Sequence, residues 1–427
     1  MNILGSITLI CALTAVALSE KVRYDGHKVL NIIPRTARDV HDIVKMEEEF
    51  QLDFWHLPKY LNDSLHVRVG PHSLEPFLAK LRQMETAVSI WINDVQSLID
   101  TEDRRRRERR SVKFNDAFID LEWKYFTLDE INQYVIWQAQ QNSSYMSVDY
   151  FPNRTVDENE IHVVKISHPE KKVNQSIFID CGIHAREWIS PAFCLHAIKQ
   201  LLHGNHSLLS DFNWHIVPVL NPDGYAYSHN MDRLWRKNRR VNGESLNCRG
   251  VDLNRNFGFM YDPGTGGSMD ACSDIYTGTE AFSEVESDGI SRYILDNSDQ
   301  NFVAYLTVHS YGQMWLFPWG YTSEKPEDYA DLESAGFAAI EALYAQSRTR
   351  YSLGTSTEVL YSAAGGSDDW AKGAAEIKYS YTLELRDKGR YGFQLPEDQI
   401  SDTVTETWEG VKALAKELKA RISGVPS

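Results

Sequence analysis

The stretch that most restricts the fold runs from Ser176 to Leu202. Its first six residues, Ser-Ile-Phe-Ile-Asp-Cys, form an apolar run of strand length that Gly182 breaks. Ser190 and Pro191 then read as the N-cap and first-turn proline of a helix with apolar positions at Phe193, Leu195, Ile198, Leu201 and Leu202. Between strand and helix stand His184, Arg186 and Glu187. These polar residues occupy a strand-to-helix turn, where an α/β sheet exposes chemistry at the carboxyl ends of its strands.

The rest of the C-terminal three-quarters repeats this alternation. Apolar runs at 161–166, 176–181, 214–219, 302–309 and 379–385 read as strands, and helical patterns cover 128–141, 191–203, 283–297, 328–347, 369–375 and 398–421. The expected fold class is α/β, a mixed, mostly buried β-sheet flanked by helices. Before it, residues 24–103 change character about every ten positions. Strands are expected at 27–33, 52–55, 65–69 and 87–92, with helices at 37–50 and 73–84, the order of a small α+β sandwich. A further helix from Asn93 runs into Arg104-Arg105-Arg106-Arg107-Glu108-Arg109-Arg110. Six like charges in seven positions repel one another, stay solvated and invite a trypsin-like protease.

Composition removes several classes of function. A net charge of -16 argues against nucleic acid as a partner. Residues 3–18 are almost wholly apolar or small, too short to span a membrane, and end in Ala17-Leu18-Ser19, so residues 1–19 read as a secretory signal. No later run approaches a membrane span, so a secreted, extracellular protein is expected. With Cys11 lost in the signal, Cys181, Cys194, Cys248 and Cys272 remain, and an even number in an oxidising compartment suggests two disulfides. Sequons begin at Asn62, Asn142, Asn153, Asn174 and Asn205.

A His-x-x-Glu pair suits zinc, because imidazole nitrogen and carboxylate oxygen can both reach one ion across a short turn. A hydrolytic zinc takes a third protein ligand and leaves a position for water. His309, ending the run Phe302-Val303-Ala304-Tyr305-Leu306-Thr307-Val308, is the candidate. Glu384 is the candidate base, since a charge within Tyr379-Ser380-Tyr381-Thr382-Leu383-Glu384-Leu385 has no cheap structural explanation.

In that order, His184-Ala185-Arg186-Glu187-Trp188, Arg233-Leu234-Trp235-Arg236, Gly250-Val251-Asp252-Leu253-Asn254-Arg255-Asn256, His309-Ser310-Tyr311, Gly365-Gly366-Ser367-Asp368 and Glu384-Leu385-Arg386-Asp387 resemble the zinc carboxypeptidases of the pancreatic A/B type. The likeness spans about residues 111–427, and the N-terminal segment resembles the family's activation peptide. It implies one Zn²⁺ per chain on His184, Glu187 and His309, with Glu384 as base and Arg236 steadying the oxyanion. Asp252 would hold the His184 tautomer. Asn254, Arg255 and Tyr361 would grip the substrate's terminal carboxylate, with Arg186 and Tyr311 as further substrate contacts. Asp368 falls where the family places its pocket-floor residue, which implies B-type preference for C-terminal Lys or Arg; Asp369 is then expected to cap the following helix.

Cys181 and Cys194, close in sequence around the turn, would bridge, and the resemblance implies Cys248 with Cys272. The expected domains are a signal at 1–19, an activation peptide at 20–110 and a catalytic domain at 111–427, forming a monomer that acts on peptide C-termini. The alternatives are an A-type enzyme, expected to carry an apolar residue at 368, and a non-catalytic binding protein, expected to lack a ligand or the base.

Overall fold

The computed structural model describes residues 20–58, 63–109, 121, 123–204, 206–243 and 248–424. The proposed signal, the end of the arginine run with the expected start of the mature chain, and the sequons at Asn62 and Asn205 lie outside them. Among the described residues no helix is long and apolar enough to cross a membrane.

The small domain contains β1 (Lys28–Ile33), α1 (Ala37–Val44), α2 (Glu47–Phe50), β2 (Asp53–His56), β3 (Leu65–Val69), α3 (Pro71–Gln83), β4 (Ala87–Ile92) and α4 (Val95–Arg109). The sheet order is β2-β3-β1-β4, and its core gathers Leu30, Ile32, Val67, Phe77 and Leu81. The single helix expected over 37–50 is two helices. Thr36 and Asp39 form a capping box that opens α1, and the run Glu47-Glu48-Glu49 suits the positive start of a second helix better than the interior of one.

The large domain runs through α5 (Leu128–Gln141), β5 (Met146–Tyr150), β6 (His162–Ile166), β7 (Ser176–Cys181), α6 (Ile189–His203), β8 (Asn213–Val217), α7 (Pro222–Asn230), α8 (Val285–Asp296) and β9 (Phe302–Ser310). It continues with β10 (Met314–Phe317), α9 (Tyr329–Ser347), β11 (Ser352–Thr355), α10 (Ser356–Val359), α11 (Ser367–Gly373), β12 (Tyr379–Leu385) and α12 (Ile400–Ile422). The eight strands are ordered β11-β10-β12-β9-β7-β8-β6-β5. The central four are mutually parallel, and antiparallel pairing enters on each side of them.

Strand alternation sorts the central side chains between two cores. Ile177, Ile179, Ala304, Leu306, Val308, Tyr381 and Leu383 enter the larger core with Trp214, Trp315 and Trp408. On the opposite face, Phe178 stacks on Tyr305 at 5.7 Å in a core that includes Tyr293 and Trp370. Each such aromatic or aliphatic side chain contributes roughly 1.5–3 kcal/mol by leaving water.

The two domains share a further apolar cluster. Trp55, Ile92, Val95 and Ile99 of the small domain meet Leu234, Tyr311 and Phe393 of the large one. α4 is pinned beside it: Glu102 accepts from Arg233 Nε at 2.7 Å, and the Arg233 guanidinium lies 3.6 Å over the Trp188 ring. The arginine run is less solvated than its charge suggests. It is helical through Arg109, and Arg106 donates to Asp103 at 2.6 Å while lying 3.0 Å from His229 Nδ1. Glu102→Ala leaves Arg233 buried without its carboxylate, and removing one member of such a pair costs about 3–5 kcal/mol. Chemical denaturation of the full chain should show a loss of that size, whereas an unchanged midpoint would contradict this account of how α4 is held.

Candidate active site

The His184 turn is built by backbone constraints. Gly182 sits at φ +67°, and a Cβ there would lie 3.1 Å from Pro191 Cγ. Ser190 is not the helix N-cap: α6 begins at Ile189 after Trp188, with no side-chain cap. The Ser190 hydroxyl accepts from Gly182 N–H at 3.0 Å and donates to Val308 C=O at 2.5 Å, tying the turn to β9. The Cys181–Cys194 disulfide fastens the end of β7 to α6, and Cys248 is bonded to Cys272.

Across the sheet, Glu384 of β12 is the register partner of His309 on β9. His309 Nδ1 lies 3.1 Å from His184 Nδ1 and 3.2 Å from Glu187 Oε2, and His184 Nδ1 lies 2.8 Å from Glu187 Oε1. All three residues are buried, and their donor atoms lie within 4.8 Å of one another. Two imidazoles and a carboxylate converging this closely are a donor set that zinc accepts. The residues therefore fit a zinc ion, with a cavity beside them for water.

Further contacts orient these groups. His184 Nε2 lies 3.0 Å from Asp252 Oδ1, and Ser310 N–H donates to Glu187 Oε2 at 3.1 Å. Arg236 donates to Asp252 Oδ2 at 2.8 Å and passes 3.9 Å from Glu187 Oε1. Burial works against the charge on Asp252, yet Arg236 and His184 hold its carboxyl well below the usual range. Burial pushes Glu384 up to about 8, with His309 pulling it down and Glu187 pushing it up.

A cavity of about 550 Å³ joins these groups to the remaining candidates, Arg186, Asn254, Arg255, Tyr311, Tyr361 and Asp368. Arg255 Nη2 donates to the Tyr361 hydroxyl at 3.1 Å, and Arg255 Nε donates to Gly266 C=O at 2.7 Å. Asn254 Oδ1 accepts from Ser367 N–H at 2.9 Å. Asp368 is 6% exposed and accepts from Ser356 Oγ at 3.3 Å. Asp369 does not cap α11, whose N-cap is Gly366 without a side-chain bond; its carboxylate accepts from Gly320 N–H at 2.8 Å and Tyr321 N–H at 2.9 Å.

Ser356 escaped sequence reasoning, although the spacing Thr355-x-x-Glu358 is a capping-box signal that marks the turn carrying it. Thr382 and Asp274 also line the cavity, and nothing in the local sequence pattern marks Asp274.

The small domain roofs this cavity. Arg186 Nη1 donates to Asp53 Oδ1 at 3.2 Å, Arg68 Nε donates to Asp53 Oδ2 at 2.9 Å, and Tyr311 OH lies 3.1 Å from His66 Nδ1. A sequence profile described as zinc carboxypeptidase matches residues 131–410. The chain belongs to the zinc carboxypeptidase family. A second profile, carboxypeptidase activation peptide, matches residues 30–102, so the roof is an activation peptide and the chain a proenzyme. It is a metallocarboxypeptidase whose cofactor is one catalytic Zn²⁺.

The chain is similar to carboxypeptidase B of Astacus astacus, at 50% identity over 246 residues, covering 57% of this chain and 80% of that protein. It is also similar to carboxypeptidase A1 of Bos taurus, at 37% identity over 404 residues, covering 92% of this chain and 93% of that protein. The crystal structure of thrombin activatable fibrinolysis inhibitor aligns with TM-score 0.84 and 31% identity, covering 92% of this chain and 99% of that one.

The roof carries a pH dependence of its own. Burial lowers His56 from 6.5 to about 4 and His66 from 6.5 to about 3, so the docked state holds neutral rings. Their contribution is complete above 6.5 and drains away as the pH falls towards 3–4. Glu47, raised from 4.5 to about 7 by burial and then by Asp274 and Asp53, acts with the opposite sign, losing its contribution as the pH rises through about 7. Relative to His66→Gln, the parent zymogen should lose up to about 1.4 kcal/mol of unfolding free energy per pH unit below 6.5. A pH-independent difference between the two would contradict the neutral-ring assignment.

Proposed function

We propose that this proenzyme matures into a B-type carboxypeptidase that releases C-terminal Lys or Arg from peptides. The observation that carries the reading is Asp368, a buried carboxylate lining the same cavity as Arg255 and Tyr361. A substrate chain end needs its carboxylate matched by a fork-shaped cation, and its side chain matched by whatever floors the pocket. Arg255 with Asn254 and Tyr361 supply the first, and Asp368 supplies an anion for a guanidinium or ammonium. Ser356 donates to that anion and keeps the pocket polar.

In this reading His184, Glu187 and His309 hold the zinc, and Asp252 fixes the His184 tautomer through Nε2. The ion supplies Lewis acidity and an activated water. Glu384 would take the water's proton and return it to the departing amine nitrogen; its place as register partner of His309, lining the same cavity, suits that duty. Arg236, lining the same cavity beside Glu187, would offer its guanidinium to the negative charge that develops on the carbonyl oxygen. Arg186 and Tyr311 serve the substrate further from the scissile bond once Asp53 and His66 have left them.

Release of those two side chains is assigned to trypsin-like cleavage in the run 104–110, and delivery outside the cell to the apolar segment at 3–18. The mature enzyme is taken as a monomer.

Trypsin-treated protein should cleave peptides ending in Arg or Lys far faster than matched peptides ending in Leu or Asp, and a chelator should abolish the activity. Glu384→Gln is expected to lower kcat/KM by about 10²–10⁴-fold. Asp368→Leu should cost about 2–5 kcal/mol, or ~30–5,000-fold, on Arg-ended substrates while improving Leu-ended ones. Preference of the parent for Leu-ended peptides would make it an A-type enzyme, and no hydrolysis of any of them would leave a binding protein on this fold.

A further inference from the structure

The two candidate histidine ligands are supported differently. His184 has a carboxylate directly behind it, whereas His309 turns its Nε2 towards a hydroxyl, Thr307 Oγ1, at 3.2 Å. That hydroxyl donates onward to Asp180 Oδ1 at 2.9 Å. Asp180 is wholly buried near the end of β7, and the sheet register pairs it with Thr307 on β9. Thr307 and His309 stand two residues apart on that strand, so their side chains leave the same face.

A buried carboxylate is costly unless something requires it. Burial raises the Asp180 carboxyl to about 6, and the groups that pull it back are Tyr305, His309 and Thr307, with no arginine or lysine among them. Nothing in the proposed chemistry calls on Asp180 directly. The hydrogen-bond chain leads from it to His309.

We propose that Asp180 and Thr307 form a positioning relay for His309, the counterpart of Asp252 behind His184. The His309 Nε2–H donates to Thr307 Oγ1, the Thr307 hydroxyl donates to Asp180, and the Nδ1 lone pair is left facing His184 and Glu187. A hydroxyl can pass this polarity along because it donates and accepts at once. With its acceptor capacity open towards the ring and its proton committed to Asp180, Thr307 selects one tautomer and one ring orientation. Without the relay, the imidazole can turn over or carry its proton on Nδ1, and either change sets an N–H against the ion. The register makes threonine the natural residue: from the strand beside Asp180, a short β-branched hydroxyl spans the gap between ring and carboxylate. The proposal rests on the reading that His309 is a zinc ligand, and its test keeps the two apart.

Zinc affinity of the full chain can be measured by competition with a chromophoric chelator, with circular dichroism and unfolding midpoints confirming that each variant is folded. Thr307→Val, which keeps the shape and removes the hydroxyl, should weaken zinc binding about 10–100-fold. Thr307→Ser, which restores the hydroxyl, should stay within about threefold of the parent. Asp180→Asn should weaken binding as well, and adding it to Thr307→Val should cost little more than Thr307→Val alone, because both break one chain of bonds. Parent affinity in a folded Thr307→Val variant, or losses that multiply in the double variant, would overturn the relay. Should His309→Gln keep the parent's zinc affinity, the ligand reading fails and the relay falls with it; if His309→Gln loses zinc while Thr307→Val does not, only the relay falls.

Discussion

Register between parallel strands β7, β9 and β12 fixes most of this site before any loop is considered. Pairing sets Asp180 beside Thr307, Thr307 beside Thr382, and His309 beside Glu384. The two-residue strand period puts these polar residues on one face, while Ile179, Leu306, Val308, Leu383 and Leu385 go into the larger core on the other. A slip of one residue would bury the polar set in that core and turn its apolar partners out. The hydrophobic pattern therefore enforces the chemistry's geometry, and the cost of misregister is paid in both terms at once.

The sheet supplies His309 and Glu384 but not the other two candidate metal donors, His184 and Glu187. Those come from the turn at Gly182, where positive φ, the Ser190 bridge to Val308 and the Cys181–Cys194 bond hold His184 and Glu187 against the end of β9. Asp252, reached from a distant loop, touches both His184 and Arg236, so one carboxylate contacts a candidate metal donor and a cation of the cavity wall. The activation peptide docks through the cavity's outer groups. Asp53 meets the Arg186 guanidinium and His66 meets the Tyr311 hydroxyl, while Glu102 and Arg233 anchor the helix that leads away. An acidic side chain seated on Arg186 and apolar packing of Trp55 on Phe393, 5.1 Å between ring centroids, together close the mouth without touching His184, His309 or Glu384 through hydrogen bonds among the described residues.

Much of this was legible in the sequence because long apolar runs dominate the central strands. β7, β9 and β12 have few alternatives, and each carries a polar residue near its carboxyl end that burial alone does not explain. The outer strands were not legible. β10 and β11 span four residues each and β5 five, and β11 contains Gly354, so each run is too short to carry a periodicity that separates strand from loop, and pairing with neighbours defines them. Ser190 and Asp369 looked like helix caps because their residue types favour that duty; tertiary contacts to Val308 and Gly320 took them instead. Ser356 and Asp274 enter the cavity from segments whose path only the fold determines.

The claim on which the account depends is that His184, Glu187 and His309 share one ion. Anomalous diffraction from crystals of the full chain, recorded on both sides of the zinc absorption edge, tests it without reference to activity. The account predicts a single zinc peak among His184 Nδ1, the Glu187 carboxylate and His309 Nδ1, beside the Glu384 carboxylate. Zinc-saturated crystals with no peak there, or with the metal on other side chains, would contradict it.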